Sequence, residues 1–328
     1  MKVAVRLSQG GPRLCLEHNE TCYDVHRVCG LLQLNNRERL LDLLESDKSW
    51  SHNLFRIAGL WDVLQQLDTE LKAVPEMPEG CKITGSSPYL PPLSRPPLVF
   101  GLAGNCPMTW RAKSIPTPNY PVGYVRPWSS ISAHEGRVVL KREVTSFRCA
   151  VELGVVIGRR ARNVNRECAM DYVAAYTLVN DMISNHWKDY AAQANTETEP
   201  SFHELLVTSY YGRGSDGFCP IGPALVSKDE IADPYDLLMW SRKDGVTIDR
   251  SHTNAMVVGI EAAIEYLSGL FPLEPGTLIH MGTMGIDGIT LAADKHLGPD
   301  SSVELEIEKL GVLRTFFDDR RGNENALA

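Results

Sequence analysis

Apolar and polar positions alternate along the first 30 residues (VAVRL, RLCLE, CYDV) around Gly10, Gly11 and Pro12. Period-two alternation interrupted by Gly-Gly-Pro predicts a small antiparallel sheet with its turn at that tripeptide. Residues 36 to 47 and 52 to 72 then carry apolar side chains at helical spacing, which predicts two helices. Pro75, Pro78, Pro88, Pro91, Pro92, Pro96 and Pro97 punctuate the next segment. Dense proline removes backbone donors and fixes extended geometry, so this stretch reads as a linker. The expected organisation is a small N-terminal domain with its linker over 1–95 and a larger domain over 96–328.

Beyond Pro97 the pattern changes to short apolar runs. LVFGLAG, RVVLKREV, residues 150 to 157 and residues 172 to 180 read as buried strands. RECAMDYVAAY, after Asn165, reads as a capped helical turn entering a strand. CPIGPALV, residues 219 to 226, holds two prolines and suits a sheet edge. Residues 254 to 268 form an amphipathic helix, and LEPGTLIHMGTMG and SVELEIEKLGVL supply further strands. Many strands with few helices predict an α+β, β-rich fold, not a βαβ array.

Composition narrows the partners. A formal charge of −8 and a pI near 5.6 disfavour general binding to nucleic acid or to anionic membranes, and leave a small-molecule substrate open. No apolar run approaches the roughly 20 residues of a membrane helix, and the first residues lack a signal-peptide core, so a cytoplasmic protein is expected. The 8 cysteines include no CxxC pair and read as buried or idle thiols.

Two acidic residues stand out against this apolar background. Glu152 lies in AVELGVVIG, and Asp181 ends AMDYVAAYTLVNDM. A carboxylate inside such a run is costly to desolvate unless it is paired or holds a cation. Together they suggest half of a hard-metal site. The position where a third carboxylate would share the strand face with Glu152 is Ala150. His203, His252, His280 and His296 have no spacing that suggests a shared metal site.

Six segments in order resemble the fumarylacetoacetate hydrolase superfamily over roughly residues 97 to 315. They are GLAGNCPMTW (101 to 110), RCAVELGVVIG (148 to 158), AYTLVNDMISNHWK (175 to 188), RGSDGFCPIGP (213 to 223), LEPGTLIHMGTMG (273 to 285) and SSVELEIEKLGVL (301 to 313). The resemblance implies a catalytic β-roll behind a small α+β domain, and a homodimer. It also implies Mg2+ or Ca2+ held by Glu152, Asp181 and a further glutamate that here is Ala150. The family's lid histidine and glutamate have no counterpart in either plausible register, which gives Pro107 and Trp110 or Thr109 and Ala112. Its arginine, glutamine and lysine fall on Asn185, Lys188 and Arg213.

Chemistry is therefore expected to be altered. His186 and Lys188 offer a replacement acid–base pair, since histidine titrates near neutrality and a partly buried lysine can be tuned down. As the bland alternative, both line a polar rim. Arg213 can clamp a carboxylate or enolate with its fork of donors. Gly282 and Thr283 would present a backbone N–H and a hydroxyl to a substrate oxygen, and Trp110 and Trp187 would shape a drier cavity. Three readings stay open. One is C–C hydrolysis or decarboxylation of a keto or diketo acid with weakened metal ligation. Another is a metal-free dehydratase, isomerase or cyclase. The last is a catalytically silent binding protein.

Overall fold

The computed structural model describes the chain except for residues 20, 33, 84–86, 113, 115, 142–143, 145, 185–210, 285–288, 292–299 and 321–328. The N-terminal alternation forms a meander of β1 (Lys2–Ser8), β2 (Gly11–His18) and β3 (Thr21–Asp24). Asp24 caps α1 (Val25–Leu31), accepting the His26 N–H at 2.9 Å. The helical pattern of 36 to 47 becomes α2 (Arg37–Ser46). That of 52 to 72 is α-helical only over α3 (Leu60–Lys72), because a 3-10 turn occupies Leu54–Arg56. Leu60, Leu64, Leu67 and Leu71 give α3 one continuous buried face. The proline-rich stretch contributes the two-residue β4 (Tyr89–Leu90), which pairs with β1.

The rest is mainly strand. In chain order come β5 (Val99–Leu102), the short helix α4 (Pro107–Ala112), β6 (Gly123–Arg126), β7 (Ile131–Ala133), β8 (Arg137–Leu140) and β9 (Phe147–Cys149). Then follow β10 (Val151–Ile157), β11 (Val173–Asn180), β12 (Ile183–Ser184), β13 (Cys219–Ser227), β14 (Leu238–Lys243), β15 (Val246–His252) and α5 (Ile260–Leu270). Last are β16 (Leu278–His280), β17 (Ile289–Leu291), β18 (Ser302–Ile307) and β19 (Gly311–Asp319). The 11-stranded sheet runs β3-β2-β1-β13-β11-β10-β16-β5-β6, with β4 and β7 paired off that path. A 5-stranded sheet, β15-β14-β18-β19-β8, packs against it. The expected α+β, β-rich architecture is the one observed.

Both faces of β10 are buried, as its unbroken apolar run requires. Leu153, Val155 and Ile157 meet Leu305, Ile307 and Phe317 of the smaller sheet. Val156 points the other way, into a second core with Leu64 and Leu67 of α3 and Ile221 and Leu225 of β13. The N-terminal segment thus shares a sheet and a core with the roll: Val3 of β1 pairs with Leu225 of β13.

One strand departs from its sequence reading. β13 does not lie at an edge; it sits inside the large sheet between β1 and β11. Its prolines are tolerated because the register against β11 shifts between Tyr176 and Leu178, so that Pro223 falls in the irregular stretch. Among the described residues, no helix is long and apolar enough to cross a membrane.

Candidate active site

Antiparallel register brings the two acidic residues together. Val151 pairs with Asn180 and Glu152 with Val179, so Asp181 emerges beside the start of β10, where its N–H donates to the Ala150 carbonyl at 2.9 Å. On the other flank of β10, Gly154 pairs with His280. Counting on along antiparallel strands sets Gly282 near Glu152. The result is a buried cluster of Glu152, Asp181 and His280 whose candidate donor atoms lie within 4.8 Å of one another.

Glu152 is fully engaged. His280 Nδ1 lies 2.5 Å from Glu152 Oε2, the Gly282 N–H donates to the same oxygen at 3.0 Å, and the Thr283 hydroxyl donates to Oε1 at 3.0 Å. Gly282 and Thr283 therefore hold this carboxylate. Gly282 has φ +82, and an added Cβ would come within 2.8 Å of Asn105 Cβ, so the turn requires glycine. Asn105 locks that turn from the β5–α4 loop, donating to the carbonyls of Val258 and Met281. Burial and the nearby Asp181 push the Glu152 carboxyl up, against the opposing pull of His280.

Asp181 has a different surround. Its Oδ1 accepts from the Tyr124 hydroxyl at 2.8 Å and from Arg126 Nη2, and Arg213 Nε lies 3.4 Å from Oδ2. Burial would raise this carboxyl, yet Arg126 and Arg213 hold it well below the usual range. Arg126 is built into the core: its terminal nitrogens also donate to the carbonyls of Arg213, Phe218 and Met182. Arg213 is held more loosely, its guanidinium 4.3 Å from the centre of the Tyr124 ring. Its two terminal nitrogens make no hydrogen bond among the described residues.

His280 pairs with Gly154 on one side and Gly101 on the other, and Gly101 makes room for its ring. A Cβ on Gly101, its partner in β5, would lie 2.3 Å from the imidazole Cε1 and 2.4 Å from Nε2. The ring is edge-on to Tyr124, and Nε2 is buried without a hydrogen-bond partner among the described residues. With Nδ1 protonated towards Glu152, Nε2 is left as a free acceptor.

Of the residues singled out in the sequence, the structure brings together Glu152, Asp181, Arg213, Gly282 and Thr283. Trp110, on α4, packs over Gly104, and its indole N–H donates to the Gly104 carbonyl at 2.5 Å; its described contacts do not include the cluster. His186, Trp187 and Lys188 lie outside the described residues. Three members were missed. Tyr124 and Arg126 are the inward positions of GYVR in β6, a polar pair on the buried face of an otherwise short strand. His280 was set aside for want of a partner in sequence, and strand register supplies that partner.

The cluster has the spacing of a metal centre, but not the donors of the Mg2+ or Ca2+ site that the resemblance implies. Those ions take six or more oxygen ligands. Here the third donor is an imidazole nitrogen, position 150 is a buried alanine, and three of the surrounding donors already bond each carboxylate.

Comparison with known proteins agrees with this fold. The family described as fumarylacetoacetate (FAA) hydrolase C-terminal matches residues 102–317. An oxaloacetate tautomerase of mitochondria from Bos taurus is 32% identical over 225 residues, covering 69% of this chain and 68% of the relative. A 2,4-didehydro-3-deoxy-L-rhamnonate hydrolase from Sphingomonas is 34% identical over 202 residues, 61% of this chain and 66% of the relative. The solved structure of maleylpyruvate hydrolase from Sphingobium, in complex with manganese and pyruvate, superimposes with a TM-score of 0.66. It covers 97% of this chain and 99% of its own at 18% identity.

Proposed function

The chain belongs to the fumarylacetoacetate hydrolase family, and from that premise we propose that it is an enzyme of small enolisable keto acids whose central step is keto–enol proton transfer. One observation carries the reading: a buried His280–Glu152 pair with a free imidazole nitrogen, close to an arginine whose terminal nitrogens are unpartnered among the described residues. Arg213 would take the substrate carboxylate in its planar fork. Neutral His280, through Nε2, would accept the proton from the carbon next to the keto group, giving the enolate. Glu152, bonded to Nδ1, would stabilise the imidazolium that forms. The same proton returned to the enolate oxygen completes tautomerisation; returned to another carbon, it completes isomerisation.

The relatives' printed functions include a tautomerase and a hydrolase. Tautomerisation needs no activated water, and the lid pair that the resemblance assigns to water activation has no counterpart here. That favours proton transfer over the C–C hydrolysis expected, with decarboxylation, first from the resemblance. The homodimer belongs to the same reading and rests on the family alone. His186 and Lys188 stay as proposed auxiliaries, and Trp110 and Trp187 as proposed cavity walls.

The test is exchange of the substrate α-proton with deuterated solvent, followed by NMR on oxaloacetate and other short keto acids. Wild type should accelerate exchange, and His280→Ala should lose about 10² to 10⁴ of the acceleration, the usual worth of a positioned base. Product analysis in the same samples reads C–C cleavage. Cleavage without exchange would favour the hydrolase, and neither activity on any short keto acid would remove the reading.

A further inference from the structure

The cluster raises a question that family membership does not answer: what balances the charge of two buried carboxylates. In the site that the resemblance implies, a divalent cation does so, held by three acidic groups. Here the third is missing, since Ala150 is buried and has no donor side chain. The cations are instead built into the chain. Arg126 makes a buried ion pair with Asp181, and Arg213 lies on the other oxygen of the same carboxylate. His280 takes the remaining place at Glu152. Two carboxylates face two guanidinium groups, and the charges balance before any ion is added.

We infer that this site has exchanged its divalent ion for two internal guanidinium groups, Arg126 and Arg213 at Asp181, with the neutral imidazole of His280 occupying Glu152, and handles its substrate without a metal. Coulomb energy falls as the inverse of distance, so a guanidinium at roughly twice the range of a ligating carboxylate cancels about half of that carboxylate's pull. Two guanidinium groups cancel about one carboxylate, and Ala150 removes another. Of the three that a hard ion uses, about one is left in effect. Arg126 cannot step aside, because its other hydrogen bonds go to three backbone carbonyls. Glu152 cannot turn freely towards an ion, because Gly282, Thr283 and His280 hold both of its oxygens.

The inference rests on the proposed keto-acid site, but its test does not need turnover. Mn2+ added to the full chain is followed by loss of the free-ion signal in electron paramagnetic resonance. Wild type should take up no stoichiometric ion up to about 1 mM, a level at which weak oxygen-ligand sites still fill. Ala150→Glu combined with Arg213→Met, which restores a carboxylate and removes a guanidinium, should bind at least about tenfold more tightly than wild type. Uptake shared equally by wild type and Glu152→Gln lies elsewhere on the surface and supports the inference. One Mn2+ per chain, bound by wild type well below 1 mM and lost in Glu152→Gln, would overturn it. So would a chelator that abolishes α-proton exchange in wild type. If no exchange is found while Mn2+ also fails to bind, the keto-acid reading falls and the charge exchange stands.

Discussion

At the scale of single residues, the Arg126–Asp181 pair decides whether the site exists at all. Both side chains are out of solvent, and the guanidinium also donates to three backbone carbonyls that have no other side-chain donor among the described residues. Removing one partner leaves a buried charge without its counterion, which typically costs about 3–5 kcal/mol. Arg126→Met should therefore lose about that much in chemical denaturation. Arg126→Met with Asp181→Asn should lose clearly less than the sum of the two single variants, since the double change removes both members of the buried pair together. Additive losses would show that the pair is not coupled. This pair also marks what was legible in the sequence. Asp181 and Glu152 stood out because a carboxylate in an apolar run is anomalous by itself. Arg126 and His280 did not, because an arginine in a four-residue strand, or one histidine among nine, becomes meaningful only when register sets it against a carboxylate.

At the scale of elements, short strands carry the information that the sequence expressed least well. The alternating and unbroken apolar runs were readable, and β1, β2, β10, β11, β18 and β19 lie where those runs are. The two prolines of β13 pointed to an edge because each lacks a donor; the register slip against β11 let the strand stay in the interior. The loop between β7 and β8 shows a cost of such joins. His134 there accepts the Arg314 N–H at 3.0 Å through Nδ1, meets the Tyr89 ring edge-on, and has Glu135 3.7 Å from Nε2. Burial, then the charges of Arg314 and Arg6, bring its pKa down to about 4. The unfolded chain, with an ordinary histidine, takes up a proton first as pH falls. Stability from this site is thus fully present above about pH 6.5 and is lost between there and pH 4, by at most about 3 kcal/mol. Urea midpoints measured at pH 7 and pH 5 should differ less in His134→Gln than in wild type. An equal difference would mean that other groups set the acid sensitivity.

At the scale of the whole molecule, the proline-rich stretch reads as a boundary in sequence but does not separate two cores. Residues on both sides of it meet in one cluster: Leu16, Leu64 and Leu67 from before it, Val156, Val179, Ile221 and Leu225 from after it. Proline density reports local stiffness, whereas independence depends on how much apolar surface crosses the join, and that is set by β1 pairing with β13. A fragment of residues 96–328 would open the flank of β13 and uncover the face that α3 now shields. An unpaired strand edge beside a bare apolar face favours association of chains over folding. The fragment should be insoluble, or bind a hydrophobic dye and melt without a cooperative transition, while the full chain does neither. The site lies at the far end of β10 from Val156 yet on the same face of the strand, so loss of that support should reach Glu152 as well. A fragment that melts cooperatively, and still accelerates α-proton exchange, would show that the segment before Pro97 is an accessory to the roll and not part of its core.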